Sequence, residues 1–156
     1  MDFLTLAMMC APMVAPSTLQ AIFKKESSFR PYVININGGW KLQRQPQNKQ
    51  EAITAARWLL QHGYNIDMGL GQLNHKELSG LGMTVEDAFD ECKNLHGSGT
   101  LLLRKYKVAK RKFPDEQDAL RAAISAYNTG NHTTGFRNGY VQGVVRNAQI
   151  YQNATP

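Results

Sequence analysis

Residues 16–31 read Pro16-Ser17-Thr18-Leu19-Gln20-Ala21-Ile22-Phe23-Lys24-Lys25-Glu26-Ser27-Ser28-Phe29-Arg30-Pro31. Leu19, Ile22, Phe23 and Glu26 fall at i, i+3, i+4 and i+7, which is one face of a helix. Pro16 or Ser17 supplies the start signal, and Pro31 closes the segment shortly after Phe29. The rest of that face is large and apolar, so the Glu26 carboxyl emerges beside the core rather than on the solvated side. Desolvation disfavours the charged form and raises a carboxyl pKa. A glutamic acid kept protonated in this way near neutral pH can hand a proton to a leaving group. The same spacing also fits a half-buried glutamate paired with Lys25 or a later arginine, or a surface glutamate at a helix end.

Outward from this segment the pattern is mostly helical. Tyr32 to Ile36 alternates and is β-prone, and Asn37-Gly38-Gly39 is a hairpin-type turn before Trp40 to Leu42. Residues 32–42 therefore predict a small β-hairpin or an extended loop. Glu51 to His62 reads as a helix with Ala52, Ala55, Ala56 and Leu59 inward, closed by Gly63. Asp67 to Leu73, with glycines at 69 and 71, reads as a turn leading into a short helix. Thr84 with Asp87 has the form of a capping box opening a helix through Asp90. Leu102, Tyr106, Ala109 and Phe113 form the inward stripe of a basic helix. Ala119 to Tyr127 is an Ala-rich apolar helix suited to the buried centre, Thr129 to Gly139 a polar loop, and Val141 to Tyr151 a final helix. With no repeat, low-complexity stretch or linker, residues 1–156 read as a single, mainly α domain.

Composition narrows the function classes. The chain has 156 residues, 42% hydrophobic and 19% charged, as in an ordinary globule and unlike a disordered chain. No apolar run approaches the length of a membrane-spanning helix. Met1 to Met9 is apolar but carries Asp2 and no basic start, a poor secretory signal, and a lipoprotein reading fails because no small residue precedes Cys10. Neither Cys10 nor Cys92 belongs to a C-x-x-C pair, and His62, His75, His96 and His132 lack ligand spacing such as H-E-x-x-H, so a zinc or other metal site is not expected. The net charge of +6 is concentrated in Arg104–Lys112, which holds six basic residues and no acid; the remaining twelve basic and twelve acidic residues balance. A sequence pI of 9.4 raises nucleic-acid binding as a reading. Against it, aromatic interleaving in the basic segment is confined to Tyr106, and no helix-turn-helix, zinc or RNP-type signature is present.

An ordered set of short motifs points elsewhere. Glu26-Ser27-Ser28-Phe29-Arg30-Pro31 is followed by Gly69-Leu70-Gly71-Gln72, then Ala126-Tyr127-Asn128-Thr129-Gly130, then Gly139-Tyr140-Val141. In this order they resemble the lytic transglycosylases, lysozyme-like enzymes that cut peptidoglycan strands. The resemblance is closest to the branch associated with type IV secretion and conjugation. That branch is carried by Cys10-Ala11-Pro12, Asn37-Gly38-Gly39, Glu51-Ala52-Ile53, the run Asp87 to Leu95, and Tyr127 to Asn131. The likeness extends from about residue 10 to 147. Each motif alone is weak; the ordered set is specific.

The resemblance implies a mainly helical α+β lysozyme-like fold, with Glu26 as the sole catalytic acid and base and no cofactor. It implies substrate-binding roles for Ser27, Gln72, Tyr127, Asn128 and Tyr140, and a structural disulfide between Cys10 and Cys92. On the residues alone, Tyr127 also fits core packing, Asn128 a helix C-cap, and the two cysteines buried thiols. Gly71 stands where the common form of the turn has methionine. The interval between Glu26 and Gln72 is lengthened by an insertion of roughly residues 40–63, as in the secretion-linked branch. The implied substrate is peptidoglycan, the implied location the periplasm or cell envelope, and the implied partners type IV secretion components. A goose-type lysozyme-like hydrolase, with Asp67 the only acid near the Gly-Leu-Gly-Gln turn, and a catalytically weak wall-binding scaffold are the competing readings.

Overall fold

Side-chain caps start α-helices at Asp2, Asn48, Thr84 and Asp115 in the computed structural model, which describes the backbone of residues 1–154 and the side chains of residues 1–150. The helices are α1 (Phe3–Cys10), α2 (Pro16–Ser27), α3 (Lys49–Gln61), α4 (Val85–Ala88), α5 (Glu91–Lys112), α6 (Glu116–Thr129), α7 (Thr134–Arg137) and α8 (Tyr140–Ala154). Three short strands, β1 (Ile34–Ile36), β2 (Ile66–Met68) and β3 (Leu73–Asn74), form one antiparallel sheet in that order. The mainly helical content with a small sheet is that expected of a lysozyme-like chain. No described helix is long and apolar enough to cross a membrane. The chain divides into two units, residues 1–25 with 99–156, and residues 26–98, and both boundaries fall inside helices, α2 and α5.

In the first unit, Asp2 caps α1 by accepting from the Thr5 N–H at 2.8 Å, and the Phe3 ring stands edge-on to Phe23 at 5.5 Å. The apolar start of the chain is thus a structural helix, which the sequence reading did not assign. Leu19, Ile22 and Phe23, on one face of α2, are completely buried. Asp115 caps α6, which buries Ala119, Ala122, Ala123, Ile124, Ser125 and Ala126 and stops at Gly130 with φ +83°. Residues 129–139, expected as loop, contain the single turn α7. A Cβ at Gly135 would sit 2.6 Å from the Ser125 Cα, so only glycine allows this close approach. On α5, Leu102 and Ala109 are buried as expected, while Tyr106 and, just past the helix end, Phe113 are half-buried.

In the second unit, the sheet buries Ile34, Ile36, Ile66, Met68 and Leu73 on one face. Of the alternatives for residues 32–42, the local hairpin does not form: β1 pairs with β2, Ile34 opposite Met68 and Ile36 opposite Ile66, and the chain beyond is irregular. The partner strand lies some thirty residues on, a separation no local turn signal encodes. The free edge of β1 is occupied by one side chain, since the Gln45 amide donates to the Ile34 carbonyl and accepts from the Ile34 N–H, each at 2.9 Å. Asn48 caps α3, whose inward residues are Ala52, Ile53, Ala56 and Leu59; Ala55 is half-buried instead. The Thr84–Asp87 capping box forms, but its helix ends at Ala88 and α5 begins at Glu91.

Candidate active site

Glu26 occupies the last turn of α2 and is half-buried, following Leu19, Ile22 and Phe23, which are fully buried. The helix ends at Ser27, two residues earlier than expected, because Ser28 and Phe29 take φ of +52° and +62°. Consecutive non-glycine residues in the left-handed region are uncommon, and such strain is concentrated at functional sites. Ser27 is 2% exposed, and its hydroxyl donates to the Leu70 carbonyl at 2.8 Å. That bond ties the residue after the acid to the Gly69-Leu70-Gly71-Gln72 segment.

This segment is the turn of the β2–β3 hairpin, closed by the Met68–Leu73 pair, and the short helix expected after it follows β3 as the 3-10 turn His75–Glu77. Gly69 has φ +75°, and a Cβ there would lie 2.3 Å from the Ala88 carbonyl oxygen and 2.6 Å from the Asn94 amide nitrogen. Gln72 has φ +51°, and its Nε2 donates to the carbonyls of Val33 at 3.0 Å and Gly69 at 2.9 Å. Both amide hydrogens are therefore spent inside the protein, leaving Oε1 as its acceptor for a ligand.

Asn94, on α5, fixes the turn from beneath and was not singled out from the sequence. It is 1% exposed and uses its full hydrogen-bonding capacity. Its Oδ1 accepts from the Gly71 N–H at 2.9 Å and the Ser98 hydroxyl at 3.1 Å. Its Nδ2 donates to the carbonyls of Met68 at 3.2 Å and Ala88 at 2.7 Å. No local sequence signal marks it, since its neighbours one turn away along α5, Glu91, Gly97 and Ser98, are not apolar.

The first unit carries the other expected site residues. Tyr127 is half-buried and Asn128 exposed in the last turn of α6, while Tyr140 opens α8 and is 6% exposed. Gly130, not Asn128, is the C-cap of α6. Asn138, also missed from sequence, joins two of them: its Nδ2 donates to Asn128 Oδ1 at 3.1 Å, and its Oδ1 accepts from the Tyr140 N–H at 2.9 Å. Asn131 organises the preceding loop by accepting from the Thr133 and Thr134 N–H groups, and Ser125 from beneath by donating to the Asn131 carbonyl.

Cys10 and Cys92 are both disulfide-bonded, as the resemblance implies, and among the described residues no cysteine is free. His75 follows Asn74 and has a buried Nε2 with no hydrogen-bond partner. Burial chiefly, with Lys76 adding, pushes its pKa below the usual imidazole value, while Asp67 opposes the shift. The insertion supplies α3 and a groove of about 560 Å³ between this helix and residues 42–46, lined by Leu42, Pro46, Ala55, Trp58 and Leu59 among others.

Comparison with known proteins places the chain. The Transglycosylase SLT domain model matches residues 3–150. The type IV secretion system protein virB1 of Brucella abortus is 46% identical over 154 residues, covering 95% of this chain and 64% of that protein. The protein of the same description from Brucella suis matches to the same extent. Protein virB1 of Agrobacterium fabrum is 40% identical over 148 residues, covering 95% of this chain and 60% of that protein. The chain thus spans a little under two thirds of the length of these relatives. No solved structure gives a significant match. With the family model running over nearly all of its length, the chain belongs to the transglycosylase SLT domain family.

Proposed function

We propose that the protein is a peptidoglycan lytic transglycosylase that opens the cell wall locally for a type IV secretion or conjugation machine. The observation that carries this reading is Glu26 itself, a half-buried acid at the end of an apolar helix face. The next residue is pinned to the turn that presents Gln72. Glu26 protonates the glycosidic oxygen between N-acetylmuramic acid and N-acetylglucosamine, and the bond from the muramic C1 to that oxygen breaks. The resulting carboxylate takes the proton of the muramic 6-hydroxyl, whose oxygen bonds to C1 and closes a 1,6-anhydro ring. The acid is regenerated and no water is consumed, so one carboxyl suffices where hydrolytic glycosidases place two. Gln72, Tyr127, Asn128 and Tyr140 bind and orient the strand, with Gln72 Oε1 accepting from a sugar hydroxyl or acetamido N–H. Ser27, buried and bonded to the Leu70 carbonyl, positions the turn rather than touching the glycan. The chain acts as one domain, a reading supported by the helices that run through both of its unit boundaries. The names of the relatives support the secretion setting. The disulfide fits the oxidising cell envelope.

Incubation with purified sacculi, followed by mass spectrometry of the released muropeptides, tests this reading. Wild type is expected to release anhydro-ended products and Glu26→Gln none. Reducing-ended products from wild type would establish a hydrolase instead. No products from either protein would leave a wall-binding scaffold. A reaction that needs a protonated acid also predicts activity that falls as pH rises.

A further inference from the structure

The sheet of the second unit has a polar face that the proposed chemistry does not use. Asn35, Asp67 and Asn74 are direct cross-strand partners, and the alternating buried residues leave all three on the face opposite the core. Asn37 and Asn65 flank the row. Asp67 and Asn74 form the base of the hairpin whose turn carries Gln72, one residue pair behind the closing Met68–Leu73 pair.

A carboxylate only accepts hydrogen bonds, so the asparagines around Asp67 must turn their N–H₂ groups inward. Asn74 Nδ2 donates to Asp67 Oδ1 at 2.9 Å and to Asn65 Oδ1 at 2.6 Å. Asn37 Nδ2 donates to Asn65 Oδ1 at 2.9 Å and to Asp67 Oδ2 at 3.3 Å. Asn35 Nδ2 contacts Asn37 Oδ1 at 3.3 Å and Asp67 Oδ2 at 3.4 Å. Three amides have thereby spent both hydrogens on the cluster, and only Asn65 retains any. What the face offers a ligand is acceptors, chiefly the amide oxygens of Asn35 and Asn37 and the remaining carboxylate lone pair. It also carries one negative charge, and among the described residues no lysine or arginine forms an ion pair with Asp67.

Acceptors plus a negative charge select a ligand that only donates. A sugar hydroxyl both donates and accepts, and so would ask for hydrogens this face has already used. A divalent cation favours several carboxylates, and here there is one. A primary ammonium has three donors, a positive charge and no acceptor. The geometry points to the Asn35–Asp67–Asn74 face as a subsite for a primary ammonium group, presented by the free amine of a diamino acid in the peptide branches of wall glycan. This rests on the peptidoglycan reading above and adds a specificity to it: strands with free amines are held better than strands whose amines are blocked.

The test compares native sacculi with sacculi whose free amines have been N-acetylated, by co-sedimentation of the whole protein and by analysis of released products. Acetylation makes the wall more anionic, so general attraction to a protein of net charge +6 would tighten binding. The subsite predicts the opposite sign, a loss of about three- to fivefold. Asp67→Asn should bring the ratio between the two preparations to one or below. Equal or tighter binding of wild type to acetylated sacculi overturns the subsite, as does undiminished discrimination by Asp67→Asn. The wild-type comparison holds whatever the variant does to folding. Discrimination in binding without anhydro products would break the transglycosylase reading and leave the ammonium subsite standing. Anhydro products with no discrimination would do the reverse.

Discussion

The two units hold their expected site residues in contrasting ways. In residues 26–98 the turn bearing Gln72 is fixed by a buried amide, Asn94, and a buried hydroxyl, Ser27. In the other unit, Asn128 and Tyr140 are joined through Asn138, and both asparagines are exposed. Buried polar networks are expensive to break because the stranded partners cannot turn to water. Exposed ones exchange for solvent at little cost. The first arrangement therefore sets a rigid turn, and the second an adjustable edge whose contacts exchange readily with solvent.

The strongest way to break this contrast is Asn94→Ala. It strands the Gly71 N–H and the Met68 and Ala88 carbonyls, and costs about 3 kcal/mol. Thermal unfolding should show a midpoint lower by about 6 to 12 °C. An unchanged midpoint would mean that the turn does not depend on its buried support. Gly69→Ala attacks the same place sterically, and should destabilise clearly more than Gly139→Ala. Both glycines have positive φ, but a Cβ at Gly139 meets nothing within 4 Å, so that change costs only about 1 kcal/mol. Equal losses would show that backbone conformation, not crowding against Ala88 and Asn94, governs position 69. Asn138→Ala sharpens the other side: stability should change by less than about 0.5 kcal/mol, while KM for soluble glycan rises. A large drop in unfolding midpoint would make that network structural after all.

The smallest effect concerns the neighbouring cap. The backbone N–H of Thr84, aided by Lys93, holds the Asp87 carboxyl below its ordinary pKa. A depressed folded-state pKa stabilises above the unfolded value of about 3.8, and that contribution is lost as pH falls through the folded value. The stability difference between wild type and Asp87→Asn should accordingly shrink as pH drops below about 4. A difference that stays constant through this range would show that the cap acts without its charge.

Much of this was legible in the sequence where the signal was local. The apolar face leading to Glu26, the capping box at Thr84 and Asp87, and the Ala-rich α6 all follow from spacing within a few turns of chain. Sheet pairing was not legible, since the partner of Ile34–Ile36 is chosen by register across thirty residues and the nearby Asn37-Gly38-Gly39 turn signal misleads. Nor was the left-handed backbone at Ser28 and Phe29, which residue type disfavours and surrounding structure imposes. Within the site, family motifs marked the residues expected to meet substrate. Asn94 and Asn138 meet protein instead, and asparagine in a helix or loop gives no local sign of which carbonyl or amide it serves.

Gln45 carries a consequence for the life of the molecule in a crowded compartment. A short strand with an open edge is a template on which another chain can grow a sheet. By imitating the donor and acceptor of a neighbouring strand with one side-chain amide, Gln45 closes that template at Ile34 without a fourth strand. The insertion thus supplies, with a single side chain, the pairing that a fourth strand would give Ile34.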